Sequence, residues 1–433
     1  MSFLHLHRCT RASVDRAHFV HRRDFLRGIS AAGLAAGTLS WTDLVTAQAD
    51  ELRRRGMACI LLWMQGGPSQ FETFSPKPGH ANGGETKAIS TNVPGIQIAE
   101  NFPEMAKVMN RAAIIRSMTS REGSHPRATF LLHTGYLPTA AVKYPSLGSI
   151  VAHEIGEPTS QLPSFVRIGG RGQNASGGGF LGVKFDPFDI QNPNTPPNNT
   201  RPTTELARYE RRLGLLDRLQ ADFAHAAPQE VADHKQLYNR AAKMITSAEM
   251  KAFDLAQEPA AMRDAYGASP FAAGCLLARR LVESGVTFVE VTSNGWDTHN
   301  DNFTRTKTLA GQVDQPFAHL LRDLADRGML DRTLVVWMGE FGRTPNINPR
   351  TGRDHFPRAF NVVLAGGGIR GGQVIGKTDE GGQAVTDRPV SVADLFQTIC
   401  AALKIDGGKD NHTPAGRPIK IVDGGEVVRE LLT

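Results

Sequence analysis

The sequence predicts an α/β protein, a doubly wound and mainly parallel sheet flanked by helices. Three observations predict it. Five short apolar runs rich in strand formers recur along the chain, amphipathic helical patterns lie between them, and polar residues cluster just past the ends of the runs.

The strands come in order. "MACILLWM" (57–64) is a compact apolar run that breaks at Gly66-Gly67-Pro68. "AAIIRSM" (112–118) reads the same way and feeds the loop 119–126. "VTFVEVT" (286–292), "TLVVWM" (333–338) and "NVVLAGGG" (361–368) are the third, fourth and fifth. A helix is expected over "RATFLLHTGY" (127–136), and charged amphipathic ones over 205–226 and 230–256. "SPFAAGCLLARRLVESG" (269–285) has Ser269 as N-cap, Pro270 in the first turn and Gly285 as a stop. "ADLFQTICAAL" (393–403) is another helix. The Gly-, Asn- and Pro-rich stretch 168–203 is expected to cap a site, and 203–258 to form a helical insertion in a domain spanning 50–433.

Composition narrows the function classes. Hydrophobic content of 40% with 44 glycines suits a loop-rich globular protein and excludes a disordered chain. The net charge is +6, but residues 1–49 hold six arginines and three aspartates, so +3 of it belongs there and +3 remains. That balance, with no polybasic run, excludes nucleic acid as the expected partner. Residues 1–49 are expected to be a twin-arginine signal: Arg22-Arg23 precede an Ala/Gly-rich apolar stretch ending at Ala47-Gln48-Ala49. The chain is then exported by the twin-arginine machinery to the periplasm or cell surface; the plainer alternative is a short amphipathic helix. No second apolar run near 18 residues follows, so no transmembrane span is expected after signal removal. Cys59, Cys275 and Cys400 are scattered and form no metal or disulfide framework, which makes buried thiols the default.

In open α/β sheets ligands sit beyond the carboxyl ends of the strands. Asp297, His299 and Asp301 alternate at such an end, so an extended segment points all three to one face, where they could hold a divalent metal. The same residues also suit an Asx turn with a helix cap. Asp354 and His355 follow a basic loop with Arg343, Arg350 and Arg353, and Arg358 comes next; guanidinium forks bind phosphate or sulfate. Ser124 and His125 precede Pro126 at a helix start with Arg127 nearby, which places a hydroxyl nucleophile, or a simple N-cap, beside an anion site. Gly66-Gly67 lets the backbone approach a ligand, and Glu72 lies within reach of a metal or on a solvated turn.

Four stretches, "LLWMQGGPSQFETFSPKPG", "SMTSREGSHPRATFLLHTGYLP", "NGWDTHNDNF" and "LVVWMGEFGRTPNINPRTGRDHFPRAF", together resemble the exported domain-of-unknown-function family 1501, within the alkaline phosphatase-like superfamily of sulfatases and phosphomutases. The resemblance runs from about residue 57 to 425. It implies that Asp297, His299 and His355 match one metal position. At the second position Gln65 stands where the superfamily has Asp, and Glu340-Phe341 where it has Asp-His. The nucleophile falls at Ser124 or His125. Formylglycine chemistry does not fit, because Ser124-His125-Pro126-Arg127 is one residue short of the Cys/Ser-x-Pro-x-Arg spacing.

The resulting expectation is a metal-dependent hydrolase of sulfate or phosphate esters acting on an anionic small molecule or glycan. One divalent ion (Zn, Mn, Ca or Mg) is held by Asp297, His299 and His355, with Glu340 and Asp301 assisting. Arg127, Arg343 and Arg353 clamp the anion, and Ser124 or a water attacks. The alternative is a non-catalytic anion- or sulfated-glycan-binding protein on the same scaffold.

Overall fold

The computed structural model describes residues 56–433 apart from 158, 171–175, 199, 201–203 and 224–227. The expected export signal at 1–49 lies outside the described residues, as do parts of the expected capping stretch 168–203.

Among the described residues nine strands form the central sheet. They are β1 Ala58–Gln65, β2 Ala112–Thr119, β3 Phe165–Ile168, β4 Phe188–Ile190, β5 Phe288–Asn294, β6 Thr333–Met338, β7 Phe360–Ala365, β8 Gln373–Ile375 and β9 Val390–Ser391. Their order is β8-β2-β7-β6-β1-β5-β3-β4, with β9 also pairing β2. β7 runs antiparallel to both β2 and β6; the other pairings in this sheet are parallel. A parallel strand covered on both faces reads as an unbroken apolar run, and "ACILLWMQ" does. Ile60, Leu62 and Met64 enter one buried cluster, while Cys59, Leu61 and Trp63 enter the other on the opposite face.

Seven helices matter here: α1 His125–Thr134, α2 Leu147–Ile155, α3 Leu206–Phe223, α4 Pro228–Thr246, α5 Pro270–Glu283, α6 Asn302–Asp326 and α7 Val392–Ala402. α5 and α6 pack on the Ile60 face; α1, α2 and α7 pack on the Cys59 face. The doubly wound architecture is therefore as expected. The helix expected over 230–256 stops at Thr246 and continues as two 3-10 turns. The strand expected over 361–368 ends at Ala365, because Gly366, Gly367 and Gly368 turn into positive φ. Cys59, Cys275 and Cys400 are free and buried. Among the described residues no helix is long and apolar enough to cross a membrane.

α6, not among the expected helices, buries Ala310, Val313, Phe317, Leu320, Leu321 and Leu324 as one stripe, and its interior holds Pro316. Proline has no N–H to give the carbonyl four residues back. That carbonyl, on Gln312, instead accepts a 3.0 Å hydrogen bond from the Ser269 hydroxyl. Ser269 Oγ in turn accepts from Ala272 N–H as the N-cap of α5. One serine thus closes two open backbone groups and ties α5 to α6.

β1, β2, β5 and β6 point the same way, so their ends at Gln65, Thr119, Asn294 and Met338 share one edge. β7 enters the sheet from that edge, being antiparallel. The loops after four strands and before a fifth therefore meet in one place.

Candidate metal centre

Each loop is held by a local device. After β5, the Trp296 side chain is buried, its Nε1–H donating to Ser293 Oγ at 3.0 Å and its backbone N–H to the Gln65 carbonyl at 3.1 Å. This fixes Asp297 beside the end of β1. Gly66 sits at φ 117°, and a Cβ there would stand 2.4 Å from the Asp297 nitrogen, so only glycine fits the crossing. The loop before β7 lies on the same segment. Arg353 N–H donates to the Thr298 carbonyl at 3.1 Å, and a Cβ on Gly352 would meet the His299 carbonyl oxygen at 1.9 Å. Arg343 and His355 face each other in a two-residue antiparallel ladder. His125 is the first residue of α1, entered through Ser124 in extended conformation and Pro126 in the first turn.

These devices aim three imidazoles at one oxygen. The Nε2 atoms of His125, His299 and His355 stand 3.3, 3.1 and 3.4 Å from Asp297 Oδ1. His299 Nε2 and His355 Nε2 are 3.0 Å apart. The ligand atoms of His125, Asp297 and His355 all lie within 4.8 Å of one another. Ligands bound at about 2.0–2.1 Å in a tetrahedron stand about 3.3 Å apart; the three Nε2–Oδ1 distances and the His299–His355 spacing are near that, while His299 falls outside the set of three.

The far side of each ring fixes its tautomer. His355 Nδ1 faces the Gly123 carbonyl at 2.8 Å, an oxygen that only accepts, so Nδ1 carries the proton. His125 Nδ1 meets Glu340 Oε1 at 2.6 Å, and His299 Nδ1 meets Asp354 Oδ1 at 2.7 Å. Both carboxylates demand a donor in the same way. Three Nε2 lone pairs therefore face inward toward a carboxylate oxygen, and His125 Nε2 is buried without a hydrogen-bond partner. Carboxylate or carbonyl on Nδ1 with Nε2 converging is the arrangement of histidines that ligate a metal. The donor set fits a divalent ion that accepts imidazole, zinc above all.

The charges agree. Burial opposes ionisation of Asp297, yet the Arg343 guanidinium at 2.5 Å and the imidazoles of His125 and His299 hold its carboxyl down at about 2. Burial, with the Arg343 and His125 charges, pushes the pKa of His355 down, which keeps its Nε2 lone pair free. Burial also disfavours the His125 cation, but the Glu340 carboxylate outweighs it and raises that pKa. The His299 contact draws the Asp354 carboxyl down.

Of the residues expected in the site, Asp297, His299 and His355 converge, and His125 joins them with its Nε2 facing the same oxygen. Glu340 is fully buried behind His125 and not in the cluster. Asp301 stands apart: it is exposed at φ 49°, leading into α6, and its side chain makes no capping bond. Ser124 is exposed and its hydroxyl does not cap α1. Arg343 and Arg353 are not available as anion clamps, since both are fully buried. Arg343 donates to the carbonyls of Gly66, Gly67, Trp296 and Arg353 and to Asp297. Arg353 donates to the carbonyls of Thr344, Pro345 and Asn82 and pairs with buried Glu72 at 2.8 Å. Arg127 alone of the three expected clamps faces solvent, with Nε on Glu122 at 2.6 Å. Two participants escape any reading of side-chain type: the Gly123 carbonyl, and Asp354 as the partner of His299.

A family model described as a protein of unknown function, DUF1501, matches residues 57–432. No curated protein matches the chain. Three solved structures share its course at a distance. A sulfatase from Pseudoalteromonas sp. has 14% identity over 83% of this chain and 71% of its own, with a TM-score of 0.37. The phosphonate monoester hydrolase of Agrobacterium radiobacter has 12% identity over 86% and 76%, with a TM-score of 0.34. The lipoteichoic acid synthase LtaP from Listeria monocytogenes has 9% identity over 82% and 73%, with a TM-score of 0.36.

Proposed function

The chain belongs to the DUF1501 family, and from that premise we propose an exported, single-ion hydrolase of sulfate or phosphate esters. The observation that carries this reading is the convergence of three imidazole Nε2 atoms on Asp297 Oδ1 at the carboxyl edge of the sheet. A divalent ion bound there supplies Lewis-acid polarisation of an ester oxygen.

The chain's own residues do the rest. Glu340, Asp354 and the Gly123 carbonyl each hold a proton on the far nitrogen of one imidazole, so the near nitrogen stays a donor of electrons. Arg343 holds Asp297 ionised and aimed inward. Exposed Arg121, Arg350 and Arg358 on the loops that frame the cluster, with Arg127 in the first turn of α1, supply positive charge for an anionic substrate.

The test is metal content and turnover on the purified full chain. About one zinc or manganese per chain is expected, with hydrolysis of aryl sulfates or of phosphate mono- or diesters that His355→Ala abolishes. Metal content far below one per chain ends the metal reading. For export, lysines replacing Arg22 and Arg23 should leave the protein in the cytoplasm; unchanged export would end that part.

A binding protein on the same scaffold is the second reading. The exposed, uncapped Ser124 hydroxyl and the sealed Arg343 and Arg353 favour it. Retention of sulfated glycans without turnover on any ester would select it.

A further inference from the structure

The positions that the family resemblance assigns to a second ion, Gln65, Glu340 and Phe341, are joined to the first by a continuous run of contacts. Trp63 Nε1–H donates to Gln65 Oε1 at 2.9 Å. Gln65 Nε2–H donates to Glu340 Oε1 at 3.3 Å. Gly66 N–H lies between the two Glu340 oxygens, at 3.0 and 3.1 Å. His125 Nδ1–H completes the set at 2.6 Å on Oε1. Trp63 is itself fixed, buried against the His133 ring with centroids 4.2 Å apart. The Phe341 ring is buried and walls the cluster, its centroid 4.8 Å from that of His125 and 4.5 Å from that of His355.

The amide and the carboxylate nearest a second ion are therefore already bonded to each other and to their neighbours. The Gln65 oxygen accepts from Trp63, and its nitrogen offers a hydrogen rather than a lone pair. Both Glu340 oxygens share the buried Gly66 N–H, and Oε1 also accepts from Gln65 and His125, so turning the carboxylate toward an ion would leave the Gly66 donor unpaired. Phe341 has no ligand atom. What remains is a neutral amide pressing a buried carboxylate onto His125.

We propose that Gln65 is a positioning residue: through Glu340 it locks His125 with its proton on Nδ1, so that the chain takes one ion and not two. This rests on the reading of the His/Asp cluster as a metal site, and the experiment separates the two claims. Outer partners of a metal-bound histidine typically contribute 10–100-fold in affinity.

The experiment compares the full-length protein with its Gln65→Ala variant in two measurements. Zinc stoichiometry and Kd are measured by competition with a chelator. The His125 tautomer is read from 15N-histidine NMR of metal-free protein, with the resonance identified by its loss in His125→Gln. The wild type should bind one zinc, and its metal-free His125 should carry the proton on Nδ1. Gln65→Ala should weaken zinc about 10–100-fold and mix the tautomers, while the thermal unfolding of the metal-free protein shows that the fold persists. The double variant Gln65→Asp with Phe341→His should take up a second zinc, because it restores a carboxylate and an imidazole beside Glu340. Two zinc ions on the wild type overturn the proposal, as do an unchanged Kd and tautomer in Gln65→Ala. A wild type that binds no zinc, yet loses the Nδ1 tautomer in Gln65→Ala, ends the metal reading and upholds the positioning role.

Discussion

Arg353 shows how far residue type can mislead. As one of four guanidiniums around Asp354-His355 it reads as an anion clamp. In the fold it is sealed between the Phe71 and Phe303 rings and paired with Glu72, which is equally buried. Removing one partner of a buried pair leaves the other charge unsolvated, which typically costs about 3–5 kcal/mol. Arg353→Met should therefore lower the unfolding free energy by about that much in a urea titration. Pairing it with Glu72→Leu should recover a good part, since no lone charge then remains; a double variant no better than the single would refute this account. Arg343 eludes sequence reading for a related reason, because its partners are mostly backbone carbonyls whose direction no residue type reveals. Asp297 and His355 were legible, since each stands at a strand end where an apolar core has no use for it. The place of His125 in the cluster was not, because Glu340, which turns its ring, lies 215 residues away.

Between elements, single polar side chains carry the joints. Ser269 caps α5 and fills the gap that Pro316 opens in α6, so Ser269→Ala should cost about 1–2 kcal/mol, more than an isolated cap, and amide exchange should quicken around Ala272. Loss of stability without faster exchange there would count against the double role. Glu154, near the end of α2, binds His153, Lys409 and Asn411 and so holds the helix to the strand Asp410–His412. Burial raises its carboxyl pKa, but these partners outweigh it and bring the value to about 2, below the ordinary 4.5 of a free glutamate. The folded form thus holds its proton more weakly than the unfolded chain. Glu154 contributes its full stability above about pH 4.5 and loses it as pH falls toward 2. Glu154→Gln should flatten that part of the pH profile of thermal unfolding and lower stability at neutral pH; a profile of unchanged slope between pH 4.5 and 2 would exclude this role. At this scale the five strands were legible because strands buried on both faces are written as solid apolar runs, the antiparallel β7 included. α6 was not expected, although its buried stripe keeps helical spacing through Pro316, which is itself buried.

For the whole molecule, one ion would bind together the loop after β2, the loop after β5 and the approach to β7. An ion held only by the folded chain stabilises it by about 2.7 kcal/mol at a hundredfold excess over Kd. Chelator should therefore lower the midpoint of urea unfolding and zinc should raise it, and a midpoint indifferent to both would deny the cluster any share in stability. The long spans between the ligands add a kinetic consequence. His125 and its brace Glu340 are 215 residues apart, and His355 reaches the Gly123 carbonyl across 232. Contacts of that span are among the last to close, because chain entropy must be overcome before they reward it. A centre assembled so late is absent from the transition state for folding, so interactions there act on the unfolding rate alone. Zinc should slow the unfolding arm of a stopped-flow denaturant series and leave the refolding arm where it was, making the ion a latch on the finished protein rather than a template for building it.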